Sequence, residues 1–278
     1  MDCFVASLLA MTETMGREQM AYEQIRVELS PASVGGITLD RPDSLNALTS
    51  QMLDELRDAV TRLPAEGARC LLITGAGRGF SSGADLASGG GLPDDAGLAL
   101  ERHFNPLMEA FAAAPVPVVA AVNGPAAGAG ASLALMADIV IAGASAYFLQ
   151  AFVNIGLVPD AGATWLLPRL AGRARAMEMM MLGERIPAAK AAEWGMISRV
   201  VEDEFLAEES MLLATTLARG PTRALGLIRR LARDAEQLSL TDALAAERAA
   251  QREAGQTEDF RAAVMAFLQK RQPRFDGR

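Results

Sequence analysis

The sequence predicts an α/β fold, and three features of the chain lead to that prediction. Compact apolar segments typical of buried strands occur at Cys70–Thr74, Val116–Val122 and Ile139–Ala142. Glycine-rich turns follow the first two segments and lead into helix-forming sequence. Beyond Arg185 the periodicity is helical, with almost no strand signal. Alternation of strand, glycine-rich turn and helix is typical of α/β architectures that carry ligand sites at the strand ends.

The remaining elements follow from local pattern. Short β-like runs at Ile25–Leu29 and Gly36–Asp40 precede an amphipathic helix predicted over Ser50–Leu63, and a second helix is predicted over Glu101–Ala113. Gly89–Gly97 is the most loop-like stretch, and we expect it to be mobile. Helical patterns continue to the C-terminus, at Ala188–Trp194, Leu206–Leu217, Thr222–Ala235, Leu240–Gln251 and Glu258–Arg271.

These patterns divide the chain into three parts. We interpret residues 1–19 as an N-terminal extension that could be disordered, because strand-like sequence begins only after Met20. Residues 20–216 are predicted to form the α/β core. Residues 217–278 are predicted to form a helical region that is attached to the core and used for assembly.

Composition narrows the possible functions. The 278 residues carry a net charge of -8, which argues against a nucleic-acid partner but leaves an anionic small ligand possible. Cys3 and Cys70 offer neither a disulfide framework nor metal-ligand spacing, so we expect a reduced, cytoplasmic protein without a metal. The uncharged stretch Phe111–Ala137 is long enough to span a membrane, but prolines and glycines interrupt it. A buried strand followed by a buried helix fits it better.

One motif points to a different enzyme class. Gly79–Gly83 matches G-x-S-x-G, the strand-to-helix turn that carries the nucleophile of α/β-hydrolases. That mechanism needs a histidine base late in the chain, whereas the only histidine, His103, lies 22 positions after Ser81. Ser81 is therefore interpreted as a turn residue, and His103 as an ordinary pocket or surface residue. A thioester hydrolase is kept only as a remote alternative.

Two glycine-rich segments share one physical logic. Gly77–Leu86 and Asn123–Asp138 each follow a strand and place small residues before a helix-like run. Small residues allow close approach to the backbone, and N–H groups at a helix start attract negative charge. Two such turns could direct two N–H donors at one carbonyl oxygen, forming an oxyanion hole. Alternatively, the small residues merely allow tight packing.

Together these segments resemble the crotonase (enoyl-CoA hydratase/isomerase) superfamily. The resemblance runs from about Ala21 to the C-terminus, and its order and spacing are specific even though each motif alone is weak. Its motifs include Arg41–Pro42, Leu45–Leu48, Gly156–Gly162, Arg185–Ile197 and Ala266–Arg271 in addition to the two glycine-rich segments. It implies a spiral of ββα repeats whose C-terminal helices assemble trimers or dimers of trimers.

The resemblance also implies roles for individual residues. The backbone N–H groups of Ala84 and Ala129 would bind the thioester oxygen of an acyl-CoA, with no cofactor beyond the coenzyme A of the substrate. Ala129 stands where many members have glycine, a mild departure because the main chain does the binding. The residues expected to lie along bound CoA, or to reach a neighbouring subunit's nucleotide, are Leu45, Ala47, Ser82, Asp85, Leu86, Phe267 and Lys270. For Phe267 and Lys270, an ordinary helix face is nearly as good an interpretation.

The sequence departs from the hydratase pattern at two positions. Hydratases of the family use two glutamates to place and deprotonate water, and the corresponding positions here are Ser132 and Phe152. Neither side chain can transfer a proton near neutral pH, and general acid–base catalysis requires one that can. Hydration by the standard route is therefore disfavoured.

Asp160 is the one carboxylate left in this neighbourhood. It precedes Ala163–Leu170, so it could instead cap a helix, and a cap would lower its pKa. An apolar pocket, to which Phe152, Phe148 and Trp165 could contribute, would raise it. The stretch Gly156–Gly172 most resembles the branch of the family that isomerises 1,2-epoxyphenylacetyl-CoA. Asp138 is expected to be structural.

Three functions remain as hypotheses. The favoured one is an enoyl-CoA isomerase, shifting a double bond or isomerising an epoxide ring, with Asp160 as the single acid/base. The second is an enoyl-CoA hydratase that uses other groups. The third, from another class, is a catalytically silent acyl-CoA-binding protein.

Overall fold

The computed structural model describes residues 22–86 and 95–278, and a twisted six-stranded sheet lies at the centre of this part of the chain. Its strands are β1 (Ile25–Leu29), β2 (Val34–Leu39), β3 (Cys70–Gly75), β4 (Val118–Val122), β6 (Ile139–Gly143) and β9 (Arg199–Val201), in that spatial order. β1 pairs with β2 antiparallel, and the other pairs are parallel. A smaller sheet contains β5 (Pro125–Ala127), β7 (Tyr147–Leu149) and β8 (Arg185–Pro187).

The central strands are buried on both faces because their side chains alternate between two apolar clusters. In β3, Leu71 and Ile73 enter the main core cluster. Cys70 and Leu72 enter a second cluster on the opposite face of the sheet. Parallel strands covered on both faces are apolar at every position, which is why this segment predicted a strand without polar alternation.

Helices cover the two faces unequally. The helices before and between the strands are α1 (Ser50–Ala65), α2 (Asn105–Ala113), α3 (Ala129–Leu135), α4 (Ala163–Ala171), α5 (Arg173–Leu182) and α6 (Ala188–Glu193). α7 (Leu206–Ala218) packs on the second cluster through Leu206, Ala214 and Ala218. The last helices are α8 (Thr222–Ala235), α9 (Leu240–Ala254) and α10 (Glu258–Leu268). A π-helical turn, Leu100–Phe104, leads into α2.

The chain alternates between the two sheets and so forms a spiral of ββα units. β4 belongs to the large sheet, β5 to the small one, and α3 follows; β6 and β7 repeat the first two steps. An isolated parallel bridge joins Ser81 to Ala126, which continues the small sheet back to the segment after β3. The expected α/β spiral with C-terminal helices is confirmed.

Several sequence expectations need correction. β2 begins at Val34 rather than Gly36, and the Asn123–Gly130 turn contains the strand β5. β8 and β9 lie in the region where almost no strand was expected; each has only three residues and forms by pairing with distant segments. The expected boundary at residue 216 falls within the last turn of α7, and the division into core and C-terminal region stays a prediction.

Two expectations concern parts of the chain outside the description. The predicted extension, residues 1–19, and most of the predicted Gly89–Gly97 loop lie outside the described residues. Among the residues that are described, no helix is long and apolar enough to cross a membrane. The uncharged Phe111–Ala137 stretch contains β4, β5 and α3 instead.

Candidate active site

The first glycine-rich turn is fixed by the side chain of Asn46. This residue is fully buried, and its amide nitrogen donates to the carbonyls of Ala76 at 2.9 Å and Gly79 at 2.8 Å. Its amide oxygen accepts the N–H of Arg41 at 2.9 Å. Asn46 has a φ of 55°, a left-handed conformation that asparagine tolerates better than most residues. The Leu45–Leu48 segment and the turn after β3 are therefore one hydrogen-bonded unit.

The second glycine-rich turn lies against the first in parallel register. Ser81 bridges to Ala126, and the N–H of Ala127 donates to the Ser81 carbonyl at 2.9 Å. Ala84 and Ala129 each follow the bridged residue of their own turn by three positions. The helix α3 begins at Ala129, so its N-terminus lies in the second turn.

Glycines allow the two turns to approach this closely. A Cβ on Gly130 would lie 2.6 Å from the Cβ and Oγ of Ser81. A Cβ on Gly83 would lie 2.7 Å from the Ala127 carbonyl oxygen and 3.5 Å from the Ala129 nitrogen. Since real Cβ atoms do not approach so near, these small residues serve the packing of turn against turn. The tight-packing interpretation therefore holds for both glycines.

Two backbone amides in these turns donate no hydrogen bond within the described residues. Around Ala84, the Leu48 N–H donates to the Gly83 carbonyl and the Asp85 N–H donates to the Leu48 carbonyl. In such a parallel bridge the Ala84 N–H points away from Leu48. The Ala129 N–H is at the first position of α3, where no intrahelical acceptor exists. Each turn thus carries one N–H donor that is unpaired among the described residues.

Asp160 lies in the loop before α4 and has an unusual carboxyl group. Its Oδ1 atom is buried and finds no hydrogen-bond partner in the described part of the chain. Loss of solvation by burial raises the pKa of Asp160 from 3.8 to about 6. The residue that caps α4 is Gly162, with no side-chain cap bond, so the capping role considered for Asp160 is wrong.

Ser132 contacts the loop that carries Asp160, and Phe152 contacts the second glycine-rich turn. Ser132 is fully buried in α3, and its hydroxyl lies 3.3 Å from the Asp160 carbonyl oxygen and 3.4 Å from that of Gly128. The Phe152 ring is buried against Gly128, whose Cβ position would lie 3.5 Å from the ring. Of the other expected pocket aromatics, Phe148 is in the main core and Trp165 stacks on Arg169.

The geometry does not support a hydrolase triad. Ser81 is fully buried, donating from Oγ to the Asn46 carbonyl at 2.8 Å. His103 lies in the π-helical turn, where its Nδ1 is 3.1 Å from the Asp54 carboxylate. The serine and the histidine thus have separate partners, in agreement with their interpretation as a turn residue and an ordinary pocket or surface residue.

The other expected binding residues lie along the edge of the first turn. Leu45 accepts the Ser82 N–H at its carbonyl, and Ala47 is buried. Arg41 donates from Nη1 to the Ala47 carbonyl and to Asp85, each at 2.7 Å. Asp85 therefore fixes the Leu45–Ala47 segment. Ser82 and Leu86 are exposed.

The expected tail residues lie elsewhere on this chain. Phe267 is at the end of α10 and is 81% exposed, and Lys270 follows with a φ of 51°. Asp138, expected to be structural, forms ion pairs with Arg229 and Arg233 and accepts the Val118 N–H, which confirms that expectation. Residues 22–86 and 95–278 contain no group of three potential metal ligands.

Sequence reasoning missed three residues that shape this region. Asn46 and Arg41 were identified only as parts of a motif. Gln150 was not identified. Gln150 is fully buried beside Phe152, and neither of its amide atoms has a partner among the described residues. An asparagine between two apolar residues in a turn is a signal that could have indicated the role of Asn46. The burial of Gln150 has no such local signal.

An α/β spiral that alternates between two sheets and carries paired glycine-rich turns is the architecture of a crotonase-type fold. A family model described as enoyl-CoA hydratase/isomerase matches residues 30–278. The chain therefore belongs to the enoyl-CoA hydratase/isomerase family.

Individual relatives agree with this family. The chain is 49% identical over 247 residues to the 1,2-epoxyphenylacetyl-CoA isomerase of Escherichia coli, covering 87% of this chain and 94% of that one. It is 46% identical to a Rhodobacter capsulatus protein named "Probable enoyl-CoA hydratase", covering 93% and 100%. Among solved structures, the enoyl-CoA hydratase of Bacillus anthracis is similar with a TM-score of 0.88 at 32% identity, covering 92% and 100%.

Proposed function

We propose that this protein is an acyl-CoA isomerase that stabilises a thioester enolate and moves one proton with the carboxyl group of Asp160. The observation that carries the proposal is the state of that group: buried Oδ1, no partner among the described residues, and a pKa raised to about 6 by desolvation. An acid/base works best when its pKa lies near the working pH, so such a carboxylate can both take and return a proton.

The oxyanion hole is assigned to Ala84 and Ala129. When a proton leaves the carbon beside the thioester, negative charge develops on the carbonyl oxygen, and fixed N–H donors lower the energy of that state. The two amides donate no hydrogen bond in the described residues, and each belongs to one of the two paired turns. Because the donors belong to the main chain, the alanine side chains are tolerated.

An isomerase is favoured over a hydratase because Asp160 is the one carboxylate that we assign to the chemistry among residues 22–86 and 95–278. Ser132 and Phe152 occupy the positions of the two hydratase glutamates, and neither can activate water. The name of the E. coli relative supports isomerisation, including the epoxide-ring version on an aromatic acyl group. Hydration is the second candidate and is supported by the name of the Rhodobacter relative.

The bound acyl-CoA is proposed to run along the edge of the first turn. Leu45, Ala47, Ser82 and Leu86 would contact the CoA portion, with Asp85 holding that edge through Arg41. Phe152 would contact the acyl group next to the oxyanion hole.

We further propose a homotrimer or a dimer of trimers. α10 presents exposed apolar side chains at Phe260, Val264, Met265, Phe267 and Leu268. Such a face on a helix is typical of an interface. In this assembly Phe267 and Lys270 would reach the nucleotide bound by a neighbouring subunit.

The deciding experiment compares wild type and Asp160→Asn on a 3-enoyl-CoA and on crotonyl-CoA. We expect isomerisation to fall by at least about 100-fold in the variant, with acyl-CoA binding retained and little water addition by either protein. Asp234→Asn, an exposed aspartate, is the matched control. Full isomerase activity in Asp160→Asn would overturn the proposal. If the wild type binds acyl-CoA without turnover, the silent acyl-CoA-binding protein is favoured. If it hydrates crotonyl-CoA rapidly, the hydratase is favoured.

A further inference from the structure

Ser132 joins two parts of the site that are distant in sequence. It lies in α3, four residues after Gly128 and 28 before Asp160, and is fully buried. Its single hydroxyl proton has two acceptors within reach, the carbonyls of Gly128 at 3.4 Å and Asp160 at 3.3 Å. Both contacts are longer than an ordinary O–H···O bond of about 2.5–3.0 Å, so each is individually weak.

Only one of these contacts is ordinary for a serine in a helix. Serine hydroxyls commonly bond the carbonyl four residues earlier, which accounts for Gly128. The contact with Asp160 has no such local explanation, because it links α3 to a separate loop. That carbonyl also accepts the Ala163 N–H at 2.9 Å, so Ser132 restrains the Asp160 peptide from outside its own loop.

The loop that carries Asp160 needs restraint. Ala161 has a φ of 48° and Gly162 a φ of 80°, so two consecutive residues adopt left-handed conformations. For alanine this conformation costs about 1 kcal/mol or more and persists only when neighbouring structure imposes it. On the other side Val158 is 79% exposed and Leu157 44% exposed, so the preceding residues give the loop little packing.

We propose that Ser132 is a positioning residue, whose hydroxyl fixes the Asp160 peptide relative to the Gly128–Ala129 turn and so keeps the acid/base aligned with the oxyanion hole. This inference rests on the proposed role of Asp160. The position that holds a glutamate in hydratases would thus act here through the backbone of Asp160. Desolvation alone raises the pKa of Asp160, with no contribution from a charged group, so a loosened loop would let that pKa fall toward its ordinary value.

The test uses Ser132→Ala, Ser132→Thr and a matched control, Ser210→Ala, assayed with a 3-enoyl-CoA across pH. Ser210 is also a fully buried helical serine, but its hydroxyl bonds Ala207 within α7, on the opposite face of the sheet. We expect Ser132→Ala to lower kcat about tenfold with KM within about twofold, and to move the acidic limb of the kcat profile to lower pH. Ser132→Thr should restore much of the rate and the limb.

Each outcome is decisive. If Ser132→Ala keeps the wild-type kcat and acidic limb while Asp160→Asn is inactive, Ser132 has no positioning role and the proposed function stands. If Ser132→Ala and Ser210→Ala lose equal activity and the acidic limb of the kcat profile does not move, Ser132 contributes only to packing. If Asp160→Asn remains active, the proposed function itself fails. If Ser132→Ala does not fold, Ser132→Cys replaces it in the test. Cysteine retains the side-chain volume but is only a weak hydrogen-bond donor, and the same outcomes apply.

Discussion

Arg229 in α8 donates from Nε to Asp138 Oδ2 across 2.6 Å and thereby connects the C-terminal helices to the sheet. Asp138 also accepts the Val118 N–H at the start of β4. The remaining guanidinium nitrogens donate to carbonyls at the end of α2, among them Ala114 at 2.6 Å. The Arg229 side chain is 4% exposed and that of Asp138 23%, and four of the five guanidinium N–H groups have acceptors.

The first prediction concerns that pair. Arg229→Met removes the donors to the α2 carbonyls and leaves Asp138 with only Arg233 and the Val118 N–H, and breaking a buried pair costs about 3 kcal/mol. Arg230→Met is the control, since that side chain is 57% exposed. Denaturant unfolding should show a large loss in the free energy of unfolding for Arg229→Met. For Arg230→Met the loss should be less than about 0.5 kcal/mol. Equal losses would mean that the buried pair adds nothing to the packing of α8.

The second prediction follows from the raised pKa of Asp160. Because folding raises that pKa from 3.8 to about 6, the folded state binds the proton more tightly. The resulting stabilisation is fully present below pH 3.8 and is lost as pH rises through about 6. Asp160→Asn removes the titration, so its stability relative to wild type should increase between pH 4 and 8 by up to about 3 kcal/mol. Calorimetry at several pH values checks this, and a pH-independent difference would contradict it.

Activity should show the opposite dependence on the same group. Proton removal needs the ionised carboxylate, so wild-type kcat/KM should fall as pH drops below about 6. The limb should be absent from the residual activity of Asp160→Asn. A limb that persists unchanged in that variant would belong to another group.

A fourth prediction tests the contact between the two turns. Gly130→Ala inserts a Cβ 2.6 Å from Ser81, and overpacking of this kind costs about 1–3 kcal/mol. The turns that carry the Ala84 and Ala129 amides would also move apart, so activity should fall together with stability. Gly255→Ala is the control, because Gly255 has a φ of -67° at the end of α9. Wild-type melting and turnover in Gly130→Ala would show that the turns can separate freely.

A fifth prediction concerns Gln150. A buried amide without partners costs about 1–3 kcal/mol relative to one in water. Gln150→Met retains the size and removes both polar atoms, so the melting temperature should rise. The exposed Gln237→Met serves as reference. If Gln150→Met is instead destabilised while the reference is unchanged, the amide has a partner in solution, such as an ordered water.

The sequence alone determined the fold class and the order of the main elements, and it supplied Asp160 as the acid/base of the proposed function. β3 and β4 were predictable because parallel strands buried on both faces are continuously apolar, which is a local property. Asp160 is the proposed acid/base because the family resemblance implies that Ser132 and Phe152 stand where hydratases have glutamates, and neither can transfer a proton. The ends of α8 and the start of α1 were also predictable from local sequence, because helical periodicity and capping residues lie within a few positions of each other.

Tertiary structure decided what depends on distant segments. The three-residue strands β5, β7 and β8 carry too little local pattern and exist because they pair with one another. Whether Gly83 and Gly130 serve a ligand or the packing of two turns depended on which backbone lay opposite, and whether Asp160 caps a helix or stays desolvated depended on where α4 begins. The cost of burying a polar group is set by the partners that the rest of the chain supplies, and local sequence does not contain that information.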